Sequence, residues 1–76
     1  MARYEVRAHW DPEASVWWAE SDDVPGLVAE AADEQKLRIE LRELVPELLR
    51  LNGAHPADGR IRLHLVMDEE QELVAA

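Results

Sequence analysis

Three histidines, His9, His55 and His64, are the natural first candidates for acid–base or metal chemistry in these 76 residues. His9 and His64 lie in two segments that alternate apolar with polar residues, so neighbouring strands would bring them together as a metal or anion site. Two imidazoles without a placed carboxylate are an incomplete ligand set, and no metal or other cofactor is expected. The chain has no cysteine, which removes thiolate ligands and thiol nucleophiles. Ser15 and Ser21 carry no cue for an activating base. Arg3, Arg7, Arg60 and Arg62 share the two alternating segments with His9 and His64. Together they make a candidate basic face able to meet RNA or a phosphate-bearing ligand. Glycine-rich phosphate loops and lysine clusters are missing, however, and Glu5, Glu20 and Glu30 are placed to pair with the arginines across strands. Ion pairing is the ordinary use of such arginines. A second charged group, Asp22 and Asp23 with Glu40, Glu43 and Glu47, is a candidate acidic face that a basic protein would complement. Its ordinary reading is a solvated surface.

The elements that must position these residues follow from periodicity. Arg3 to Trp10 alternates, with Tyr4, Val6, Ala8 and Trp10 on one side and Arg3, Glu5, Arg7 and His9 on the other. Asp11-Pro12 ends that strand, because proline fixes φ and donates no hydrogen bond. Ser15 to Ser21 predicts a second strand, with Val16 and Trp18 facing the core and Trp17 facing away. Val24-Pro25-Gly26 predicts a turn, and Leu27 to Ala31 a short third strand. These connections are too short for anything but antiparallel neighbours. Asp33 is a good N-cap. Leu37, Leu41, Leu44, Leu48 and Leu51 then make the apolar stripe of a helix that Asn52-Gly53 ends. Pro46, inside that pattern, predicts a kink or a break with a restarted turn. Arg60 to Met67 alternates again, with Ile61, Leu63, Leu65 and Met67 on one side.

The order is therefore β-β-β-α-β, an α+β domain with one helix on one face of a four-stranded mixed sheet. Crossover rules favour the last strand beside and parallel to the first. The expected core is Tyr4, Val6, Ala8, Trp10, Val16, Trp18, Leu27, Leu63 and Leu65 against the leucine stripe. On the uncovered face the basic residues would gather, with Trp17 and Val28. An exposed tryptophan beside a valine is a candidate partner or dimer interface, since tryptophan concentrates binding energy.

Residues 1–76 are expected to form one domain, with a folded core over 3–67 and an acidic tail over 68–76. A chain this short buries only about 60% of its unfolded surface, so self-association, as a homodimer, is expected to supplement the core. The charges sum to 8 − 17 = −9, which disfavours general nucleic-acid binding and favours a basic protein partner. Arg3, Glu5 and Arg7 interrupt any apolar leader. No stretch reaches the ~20 apolar residues of a membrane span, so a cytoplasmic protein without membrane contact is expected.

The run Val6-Arg-Ala-His-Trp-Asp-Pro-Glu-Ala14 followed by Val16-Trp-Trp-Ala-Glu-Ser-Asp-Asp-Val-Pro-Gly-Leu-Val28 resembles the N-terminal domain of HicB-type antitoxins. It is closer still to short standalone domains of unknown function in the same superfamily. The helix ending Val45-Pro-Glu-Leu-Leu49 and Leu51-Asn52-Gly53 extends the resemblance, which covers Tyr4 to Asn52. It implies a non-catalytic domain that, in complete antitoxins, covers a small basic toxin that degrades messenger RNA. Those antitoxins usually carry a further DNA-binding module, and none is expected here. The order of elements also resembles a trimmed ribonuclease H core, whose chemistry needs converging carboxylates on divalent metals. Here the first strand offers Glu5 alone, and Arg60 to Met67 offers no carboxylate. The expected function is thus protein–protein contact without catalysis. The alternatives are a degenerate ribonuclease H-like fold that binds RNA or a nucleotide through the Arg/His face, or an orphan domain that has lost its partner.

Overall fold

Reversal of the chain after Asp11 is set by that residue's own carboxylate. One Asp11 Oδ accepts from the backbone N–H groups of Glu13 (3.0 Å) and Ala14 (3.3 Å). Pro12 has no N–H to offer a ladder, and Ser15 takes a left-handed φ of 55° to close the loop. In the computed structural model, which describes residues 2–75, this loop joins β1 (Ala2–Asp11) to β2 (Val16–Glu20). Asp11 stands opposite Val16, Trp10 opposite Trp17 and Ala8 opposite Ala19. Directly opposed residues share a sheet face.

A second turn follows at Val24–Leu27, where the Leu27 N–H donates to the Val24 carbonyl at 3.2 Å. Pro25 and Gly26 occupy its centre, and Gly26 has a φ of 83°, the type II arrangement. β3 (Ala29–Ala31) then pairs antiparallel with β2. It is shorter than the periodicity suggests, because Leu27 is held in the turn. Leu27 and Val24 are both buried there, and Val24 is a core residue that the alternation does not mark.

α1 (Glu34–Leu51) is a single helix. The Asp33 side chain caps its first turn, accepting from the Lys36 N–H at 2.8 Å, and Glu34 lies where the dipole favours a carboxylate. At the other end the Ala54 N–H donates to the Leu49 carbonyl and the Gly53 N–H to the Arg50 carbonyl. Gly53 has a φ of 69°. This is a Schellman ending. The helix runs unbroken through Pro46, so the expected break with a restarted turn does not occur. Its buried row is Leu37, Leu41, Val45 and Leu49, a four-residue ladder. Leu44 and Leu48 flank that row half-buried, and Leu51 is 77% exposed. The predicted leucine stripe is therefore displaced toward Val45 and Leu49 in its second half, and its last member lies outside the core.

β4 (Ile61–Asp68) completes the sheet parallel to β1, in the order β3-β2-β1-β4. This is the α+β architecture and the placement of the last strand that the sequence predicts. α1 packs over β2 and β3. There the sheet offers Ala19, Ala29 and Ala31, whose small side chains admit a close helix. Ile61, Leu63, Leu65 and Met67 of β4 stay half-buried at the other side of the same face. Residues 69–75 belong to no element and are exposed.

Leu41 is fully buried at the middle of the ladder. Leu41→Ala is expected to lower unfolding stability by about 2–5 kcal/mol, and Leu51→Ala by no more than about 0.5 kcal/mol. Urea titration of the two variants beside wild type checks both values.

Candidate functional site

The sheet face away from α1 carries side chains from all four strands in a defined register. β1 contributes Arg3, Glu5, Arg7 and His9; β2 contributes Val16, Trp18 and Glu20. Glu30 comes from β3, and Arg62, His64, Val66 and Asp68 from β4. Trp18 and not Trp17 stands on this face. Trp17 is 6% exposed and packs beside Trp10 on the helix side, with ring centroids 5.6 Å apart. The expected interface at Trp17 is therefore corrected, as is the placing of Val16 and Trp18 in the core. Pro12 cannot serve as a ladder residue, so pairing begins at Asp11 with Val16, and that register carries Trp17 inward. Val28 is exposed as expected, at 77%, one residue before β3.

Trp18 is 39% exposed and has a second ring beside it. The His9 ring lies 4.4 Å from it, centroid to centroid, tilted by 30°. His9 Nε2 is within hydrogen-bond distance of Glu20 Oε2, at 3.0 Å, and Asp68 Oδ2 lies 3.6 Å from Nδ1. Glu30 stands directly opposite Trp18. An aromatic platform is thus flanked by three carboxylates. A cation placed over Trp18 would meet both the negative face of the ring and those carboxylates.

The basic residues share this face without making it basic. Arg7 pairs with Glu5 at 3.3 Å, and His64 Nδ1 lies 3.5 Å from Glu5 Oε1. Arg3 donates to His64 Nδ1 at 2.8 Å, since a guanidinium has only donors. Arg62 is on the same face beside Arg3, whereas Arg60 precedes the strand, its N–H donating to Asp58. His9 and His64 share the face but hold different partners, and no group of three His, Cys, Asp or Glu side chains among the described residues is arranged to bind a metal. His55 lies in the loop between α1 and β4.

The acidic residues divide between two places. Asp22 and Asp23 line a small recess of about 80 Å³ with Glu5, Arg7 and Glu20. Glu40, Glu43 and Glu47 share the outer side of α1, spaced three and four residues apart on the far side of the sheet. They are not one face. Asp23 has a structural task as well. β2 stops at Glu20, so the backbone of Glu5 on β1 has no strand partner on the β2 side. Asp23 Oδ2 accepts from the Glu5 N–H at 2.7 Å, and the Ser21 hydroxyl donates to the Glu5 carbonyl. Ser21 Oγ in turn accepts from the N–H groups of Asp23 and Val24. Two side chains take the place of one missing ladder rung. Periodicity reveals none of this, although a Ser-x-Asp following a strand is a turn signal.

Residues 3–76 match the family model described as "Domain of unknown function (DUF1902)". The chain belongs to the DUF1902 family. The match includes every residue of the Trp18 face. This DUF1902 domain is also similar to the crystal structure of hypothetical protein TTHA1013 from the extremely thermophilic bacterium Thermus thermophilus. The two are 44% identical over 96% of this chain and 99% of the other, with a TM-score of 0.72. No curated protein matches the chain. Among the described residues of the domain no helix is long and apolar enough to cross a membrane.

The two adjacent tryptophans are expected to separate on substitution. Trp17→Ala should cost about 3–5 kcal/mol. Trp18→Ala, which loses a half-exposed stack on His9, should cost about 1 kcal/mol. Thermal unfolding of the two proteins measures the difference.

Proposed function

We propose that this domain is a non-catalytic binding module that covers a basic protein partner with the open face of its sheet. The observation that carries the reading is Trp18, with the His9 ring beside it and flanked by Glu20, Glu30 and Asp68. Tryptophan in a pre-ordered setting is the residue type around which binding energy concentrates. Carboxylates beside it select a cationic side chain of the partner, and a net charge of −9 steers a basic protein toward the domain. The resemblance to HicB-type antitoxins supports the same direction. In those proteins a domain of this kind masks a small basic toxin that cleaves RNA, and the reading here is an antitoxin-like module acting in the cytoplasm.

Carboxylates mixed among Arg3, Arg7, Arg62 and His64 make this face a poor phosphate surface. Nucleic acid would meet Glu5, Glu20, Glu30 and Asp68 at the same distance as the arginines. A degenerate nuclease-like RNA binder is therefore the weaker reading.

The test uses the small basic protein encoded by the reading frame adjacent to this one. Titration calorimetry of the two purified proteins is expected to give a stoichiometric complex, weakened at least tenfold by Trp18→Ala. The complex should also suppress RNA cleavage by the partner. A missing basic neighbour, no binding, or binding indifferent to Trp18→Ala would sink the proposal. RNA binding by the domain alone at physiological salt, lost on Arg7→Glu, would replace it with the nuclease-like reading.

A further inference from the structure

We propose that two copies of this chain associate by pairing β4 antiparallel with β4, joining their sheets into one of eight strands. β4 is an outer strand of the sheet, eight residues long, and its outer row of backbone groups has no ladder partner in the single chain. It is neither short nor interrupted by proline, so two of the usual protections of an edge are missing, and its charges divide by sign between its two halves. On the helix side its Leu63, Leu65 and Met67 are only half-buried, because α1 lies over β2 and β3. The strand is thus incomplete in two directions, along its edge and over one face.

Charge selects the occupant. The first half of the segment carries Arg60, Arg62 and His64, and its end carries Asp68, Glu69, Glu70 and Glu72. Antiparallel pairing lays each basic half on the acidic half of the other copy, whereas parallel pairing would stack like on like. A two-fold axis through Leu65 sets Leu65 against the partner's Leu65 and Leu63 against the partner's Met67 on the helix side. On the open face it sets Arg62 against the partner's Asp68, and just beyond the strand Arg60 against the partner's Glu70. By symmetry each pair forms twice. Neither Arg60 nor Arg62 has an ion-pair partner among the described residues, and the Asp68 side chain is 73% exposed, with its one charged neighbour, His9 Nδ1, 3.6 Å away.

The chain beyond Asp68 fits the same arrangement. In the antiparallel pair the partner's tail leaves its strand past Ile61. There a cleft of about 310 Å³ opens between α1 and β4, lined by Arg38, Arg42, Val45, Ile61 and Leu63 among others. The arriving segment is acidic and then apolar, Glu69 to Glu72 followed by Leu73 and Val74. Those last two are 84% and 90% exposed in the single chain. Cationic rims and an apolar floor suit that order of residues.

Sedimentation equilibrium of the full chain tests the pairing by exchange of charge. Wild type is expected at twice the monomer mass. Arg62→Glu and Asp68→Arg, each alone, place like charges opposite one another at two symmetric points and should give monomers. An equimolar mixture of the two variants restores both opposite-charge pairs and should return to the dimer mass, as should the chain carrying both substitutions. Recovery on mixing excludes misfolding as the cause of the single-variant result. A monomeric wild type, or dimers indifferent to both reversals, overturns the proposal. So does a mixture that stays monomeric.

Discussion

Register between β1 and β2 is the constraint on which the rest of this domain depends. Because side chains alternate, a slip of one residue would carry Trp17 and Ala19 out of the core and Val16 and Trp18 into it. The ladder residues do not by themselves choose between these states, since both sets are apolar. The choice is made at the two ends of β2. At one end Asp11 caps its own turn and Pro12 is barred from pairing, so the first opposed pair is Asp11 with Val16. At the other end Ser21 and Asp23 seize the backbone of Glu5, one rung after Arg7 meets Glu20. Both anchors are polar, one within its own turn and one between strands, and between them they set the facing of an entire strand.

The packing of α1 follows from that choice. With Ala19 inward opposite Ala8, and Ala29 opposite Ala19, the middle of the helix-side face is lined by small side chains. A helix bearing Leu37, Leu41, Val45 and Leu49 can sit close there and bury its whole ladder. Its two ends are tied to the same region. Asp33 caps the first turn two residues after β3. The Asn52 side chain donates to the Leu48 carbonyl (2.8 Å) and to the Pro25 carbonyl (3.3 Å), joining the helix end to the Val24–Leu27 turn. Gly26 lies in that turn with Leu48 beside it, at a backbone conformation that disfavours any residue with a Cβ.

Much of this was legible in the residues, and the failures share one cause. Alternation over Arg3–Trp10 and Arg60–Met67, the Asp33 cap and the Asn52-Gly53 stop place three of the five elements to within a residue or two. They also placed the helix face of β1 and β4 correctly. The facing of β2 is not legible in the same way, because Val16-Trp17-Trp18-Ala19 is apolar on both sides and its pattern has no phase of its own. The phase had to come from counting ladder positions across the Asp11-Pro12 turn. The leucine stripe erred similarly: Val45 and Leu49 are as apolar as Leu44 and Leu48, and only the sheet they meet decides which row is buried. The arginines and histidines were correctly assigned to the open face, save Arg60. Composition along one strand could not show that the carboxylates of its neighbours would neutralise them.

The same geometry explains why a small acidic domain places its apolar surplus where it does. A helix of 18 residues spans roughly 27 Å along its axis, whereas four strands span only about 14 Å from first to last. Length was therefore sufficient to reach β4, and yet α1 stays over β2 and β3. Ala19, Ala29 and Ala31 line the side that α1 covers, and Leu63, Leu65 and Met67 stay half-buried on the other. Burial is gained in full over half the sheet and left partial over the rest. The chain thus separates its two surfaces: a polar face on which one tryptophan has a histidine ring beside it, and an apolar border along an edge strand whose two halves carry opposite charge. Each follows from the choice of which β2 residues turn inward.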